Sequence, residues 1–162
     1  MICPFPVWKT LRLGEHKSYQ GYLCALREKR VPVICEPNVQ VADPEREVHL
    51  ARVFSGAGVA GIPGETTQEI YSLLWCNGLT VCPHEVALAL ALVATPEDLF
   101  GNHLMIGALP RKPSTCSPYL PAPKNQQELF YLKNDRGEVS LTSLVSNGNW
   151  NTIVPWVFVI ER

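Results

Sequence analysis

Apolar and polar positions along the chain switch between two periods. Val7–Gly14, "VWKTLRLG", alternates and predicts a strand. Ser18–Lys29, "SYQGYLCALREK", sets Tyr19, Tyr22, Leu23 and Leu26 on one face of a helix, slightly weakened by Gly21. "VPVIC" reads as a short strand that Pro32 confines to a sheet edge or a strand start, and Glu36–Glu47 as a polar loop. Glu47–Phe54 alternates again, with His49, Ala51 and Val53 opposite Val48, Leu50 and Arg52. In "TTQEIYSLLWCNG", Thr66 and Glu69 have capping-box spacing, Ile70, Leu73 and Leu74 form an apolar face, and Asn77-Gly78 supplies a stop, so one helix is expected there.

The next segment, "CPHEVALALALVA", is apolar without interruption from Val86 to Ala94. Its alanine content and its proline–glutamate start predict a helix over Cys82–Ala94, with Pro83 in the first turn, Cys82 near the N-cap and Glu85 at the positive end of the helix dipole. A helix apolar on all sides is buried or meets another chain. "NHLMIGAL" then reads as a buried strand. Pro110–Pro123 is expected to be a proline-rich surface loop, because proline removes backbone donors. "LFYLKND", "EVSLTSLVS" and "PWVFVIER" are β-rich, the first two joined by a hairpin-type turn at Asn134–Gly137. The expected fold is a single α+β domain over 1–162, largely antiparallel, with about three helices and a closing β meander.

Composition narrows the function classes. The chain is 46% hydrophobic and 18% charged, enough to bury a core, and its net charge of -1 gives no electrostatic reason to expect nucleic acid or an anionic membrane as partner. No apolar run reaches the roughly 20 residues of a membrane helix. "MICPFPVWK" lacks the apolar core of a signal peptide, so a cytoplasmic protein with six reduced cysteines is expected. Gly56-x-Gly58-x-x-Gly61 follows a strand, but Pro63-Gly64 and the later capping box separate it from the next helix, so a dinucleotide site is not expected and no cofactor is implied.

Cys82, His84 and Glu85 are the candidate catalytic residues. A cysteine at a helix N-terminus gains thiolate character, and a histidine or glutamate serves as a base. His84 follows Cys82 too closely to point the same way, so a structural helix start competes with a reactive thiol. Cys76, Cys82, His84 and His103 match no familiar zinc spacing, and no metal is expected. Tyr119, Trp150 and Trp156 are the candidate binding residues, since aromatics among polar and β segments are enriched at interfaces.

"EIYSLLWCNGLTVCPHEVALAL", "GNHLMIGALP" and "WVFVIER" together resemble a family of uncharacterised bacterial proteins that run helix, linker, CPxEV, a strand and an aromatic FVFV-like C-terminal strand. The resemblance touches Cys82, Pro83, Glu85 and Val86, then Gly101, Leu104 and Ile106, then 157–162, and departs at Pro110–Pro123. It implies the same fold, no stated activity, and a setting on bacterial mobile elements or integron-type gene cassettes. The expected function is a non-catalytic binding or protein-interaction module; the alternative is a small enzyme using Cys82 or Glu85. A homodimer is the expected assembly, on the premise that the "WVFVI" run lies at a sheet edge that a second copy covers.

Overall fold

A computed structural model describes residues 2–35, 38–55, 62, 64, 66–99, 103–112, 126–148, 150 and 154–161. Over these residues it has the expected α+β architecture, with three helices and a 7-stranded sheet curled into a half-barrel. The elements are β1 (Lys9–Leu13), α1 (Tyr19–Glu28), β2 (Arg46–Ser55), α2 (Thr67–Ser72), β3 (Leu79–Thr80), α3 (Glu85–Val93), β4 (His103–Ile106), β5 (Gln127–Asp135), β6 (Glu138–Ser146) and β7 (Val154–Ile160). The strand order is β1-β2-β7-β4-β5-β6, with β3 pairing β7 beyond the end of β4.

The sheet is mixed, because β7 runs antiparallel to β2 and parallel to β4. β5 and β6 form the expected hairpin, closed where Arg136 and Gly137 both take positive φ, but β7 does not continue a meander. It inserts in the middle of the sheet, which removes the premise of an exposed C-terminal edge. The reason lies in its side chains: Trp156, Val157 and Phe158 are all fully buried, so both faces of β7 require cover. β1 and β6 are the end strands of the sheet.

Both faces of the sheet carry a core. On one, α1 and α3 lay Tyr22, Leu26, Val86 and Leu90 against Leu11, Leu13, Leu50, Leu104, Phe130 and Val157. On the other, Ile70 and Leu74 cover Ala51, Val53, Met105, Trp156 and Phe158. Gly107 allows the end of β4 to pass beneath the Phe158 ring, because an added Cβ would collide with that ring.

Three expected elements change at their ends. The Thr66–Glu69 capping box forms, but α2 stops at Ser72. Its final bonds tighten, Leu73 N–H to Ile70 O and Leu74 N–H to Tyr71 O, and a separate 3-10 turn over Trp75–Asn77 ends at left-handed Gly78. α3 begins at Glu85 with His84 as N-cap, not at Cys82. Cys82 is held extended, its N–H bonded to Gly107 O in a bridge to Ala108, so the chain turns only after it. "VPVIC" contributes a single bridge, Val33 to Leu141, instead of a strand. The Gly56–Gly61 motif and 113–123 of the proline-rich loop lie outside the described residues. The bridge between Arg111 and Glu128 joins the two sides of that excursion. No helix among the described residues is long and apolar enough to cross a membrane.

Candidate functional site

The start of α3 gathers three chain segments on a single carboxylate. Glu85 is 1% exposed, and its Oε1 accepts from Gly14 N–H at 2.6 Å and from the Tyr22 hydroxyl at 2.5 Å, while Oε2 accepts from Ala42 N–H at 2.8 Å. Gly14 follows β1, Tyr22 lies on α1 and Ala42 sits in the loop before β2. Gly14 suits this position for two reasons. Its φ of 84° is in the left-handed region, and a Cβ there would strike Ala42 O. A buried carboxylate is tolerated only with such donors, which stand in for the water it lost. Burial first, then the Glu85 hydrogen bond and charge, push the Tyr22 phenol well above its ordinary range. The His16 ring packs on Tyr22 with centroids 4.8 Å apart.

His84 and Cys82 are also committed to the backbone. His84 Nε2–H donates to Leu109 O at 2.8 Å, and its ring meets Phe130 edge-on. Cys82 is 2% exposed, its thiol donates to Val157 O at 3.3 Å, and burial pushes its pKa far up. A neutral buried thiol is a weak nucleophile. Beside this junction lies an open cleft of about 540 Å³, lined by Gln40 and Asp43 from the loop, by Arg46 at the start of β2 and by Pro83, His84 and Glu85 from the helix start.

The remaining candidates lie elsewhere. Trp150 and Trp156 come together edge-to-face at 5.1 Å on the α2 side of the sheet, 7% and 0% exposed, and Trp150 Nε1–H donates to Thr67 Oγ1 at 2.7 Å. Tyr119 lies outside the described residues. Cys76 is exposed on the 3-10 turn and His103 sits on β4 beside Tyr131, and no group of three or more metal-ligating side chains forms among the described residues. The sequence reading missed Gly14, Tyr22 and Ala42 as partners of Glu85. A glycine directly after a strand was a usable signal for Gly14, but two of the three donors are backbone amides and leave no mark on residue type. Comparison with protein-family models, with curated proteins and with solved structures finds no match for the chain.

Proposed function

We propose that the chain is a non-catalytic binding module that engages a protein partner at the cleft beside the start of α3. One observation carries this reading: Cys82, His84 and Glu85 are each bonded to the protein's own groups, while the cleft next to them stays open to about 540 Å³. A glutamate accepting from three internal donors is poorly placed to take a substrate proton, and a buried neutral thiol is poorly placed to attack. Asp43 and Arg46 bring both signs of charge to the cleft, which suits the polar rim of a protein contact. The partner is a second copy of this chain or another protein, and the bacterial accessory-gene setting implied by the resemblance belongs to the same proposal.

Thiol labelling at neutral pH, read peptide by peptide, separates this reading from an enzyme using Cys82. Cys24 and Cys76 are exposed and serve as internal references. Cys82 is expected to react only as fast as the fold opens. Labelling of Cys82 at the rate of Cys24 overturns the binding reading. Sedimentation equilibrium of the purified chain then tells a self-associating module from one that awaits a different protein.

A further inference from the structure

A second cleft, of about 390 Å³, opens where β1, α1 and α3 meet. Small side chains create it: Ala25 on α1 and Ala89 on α3 stand where larger residues would fill the gap, Leu11 and Leu92 add apolar surface, and Thr10, His16 and Tyr22 add polar atoms to the lining. The rim is charged. Arg12 and Lys29 both border the cleft, and neither makes an ion pair within 4.0 Å among the described residues. Arg12 is exposed between the buried Leu11 and Leu13 and, behind Lys17, also helps hold the Glu45 carboxyl below its ordinary range. Lys29 Nζ donates to Leu92 O at 3.2 Å, which holds the ammonium at the cleft with donors to spare. Glu15 places one carboxylate on the same rim. The volume lies at the small end of the ~300–1,000 Å³ of small-molecule sites, which are mostly apolar with a few fixed polar groups.

We infer that this cleft binds a small monocarboxylate with an apolar body, either as a simple carboxylic acid or as an apolar α-amino acid. The Lys29 ammonium takes the carboxylate, with Arg12 adding positive charge at the rim, and the alanine–leucine lining takes the hydrocarbon. Glu15 disfavours a second negative charge on the ligand and offers an acceptor for an ammonium group. The cleft is distinct from the one at the start of α3, although Tyr22 lines it and bonds Glu85 of the other, and small-molecule binding here does not require a protein partner there.

The test is an NMR titration of the full chain with isocaproate, leucine and uncharged isocaproamide, which share one branched skeleton. Isocaproate or leucine is expected to shift the amides of Leu11, Ala25 and Ala89, with isocaproamide at least about tenfold weaker. The double variant Arg12→Gln/Lys29→Gln changes two exposed side chains and is expected to fold normally while losing about tenfold or more in affinity. Ala25→Leu is expected to fill the cleft and abolish the shifts. Leucine binding more tightly than isocaproate, with the advantage lost in Glu15→Gln, identifies the amino acid; the reverse order identifies the simple acid. Equal binding of the amide, an unchanged affinity in the double variant, or no shifts at millimolar concentrations overturns the inference.

Discussion

On the face of the sheet covered by α1 and α3, the Glu85 carboxylate is buried and three groups donate to it. On the opposite face, Ser55 Oγ, Gln127 Oε1 and Trp156 Nε1 are buried and meet no partner among the described residues. Strand alternation places all three on the α2 side, with Val53, Leu129 and Trp156 of the second core. The difference follows charge. A buried ion without donors costs far more than an unpaired neutral hydroxyl or indole, so a full set of donors is most strongly required at the carboxylate. The first face is therefore pinned by donors converging on one carboxylate, and the second combines the packing of Tyr71, Trp150, Trp156 and Phe158 with neutral bonds, Trp150 Nε1–H to Thr67 Oγ1 and Tyr71 O–H to Ala108 O.

Removing Glu85 breaks this contrast most severely. Glu85→Ala strands the buried Gly14 N–H, the part-buried Ala42 N–H and the Tyr22 phenol, and is expected to cost on the order of 3–5 kcal/mol in a urea melt. Glu85→Gln sharpens the result. Both carboxylate oxygens accept, so whichever becomes the amide NH₂ faces a donor, and rescue is expected to be partial at most. An unchanged midpoint in either variant shows that the three segments hold together without the carboxylate.

Tyr22→Phe removes one of the three donors and is expected to cost about 1.5–3 kcal/mol at neutral pH, the range for a hydrogen bond to a charged group. Its signature is in the alkaline limb. The Tyr22 pKa is raised in the folded state above its ordinary value of 10.0, first by burial and then by Glu85. The folded protein thus keeps this proton longer than the unfolded chain, and the stabilisation is complete below that value and lost as pH rises above it. Wild-type stability should fall above about pH 10, and the variant should fall less steeply. Tyr71, Cys35 and Cys82, also raised chiefly by burial, leave a residual slope in both proteins, the thiols from about their ordinary value of 9.0 upward. Parallel alkaline limbs in the two proteins would remove Tyr22 from the account.

What was legible in the sequence follows the range of each interaction. Local chemistry came through: the Thr66–Glu69 capping box and the hairpin turn at Asn134–Gly137 are encoded within a few residues. Boundaries set by distant partners did not. Cys82 is extended because Gly107 O holds its N–H, so α3 starts three residues later than proline and glutamate alone suggest. Glu85 read as a dipole partner is a junction of three segments, because Gly14 and Ala42 reach it from 71 and 43 residues away. The run "WVFVI" looked like an exposed edge for want of its neighbours. Its central place depends on pairing β2 and β4, which the run itself does not specify.

The smallest expected effect tests the second face. Ser55 ends β2 with its side chain fully buried. If its hydroxyl is unpaired when folded, then folding strips it of water and returns nothing, a cost that alanine does not incur. Ser55→Ala also removes only one heavy atom, so the cavity it leaves is slight and its neighbours Val53 and Ile62 can close on it. The two terms oppose each other, and the desolvation term is the larger for a hydroxyl. The variant is therefore expected to be neutral or more stable by up to about 1 kcal/mol, read as an equal or higher urea midpoint with an unchanged slope. A loss of about 1 kcal/mol or more would mean that the hydroxyl is bonded in solution, to water or to a neighbouring loop. An unpaired hydroxyl would then no longer separate the second face from the first, and the contrast between them would rest on the buried charge of one and the aromatic packing of the other.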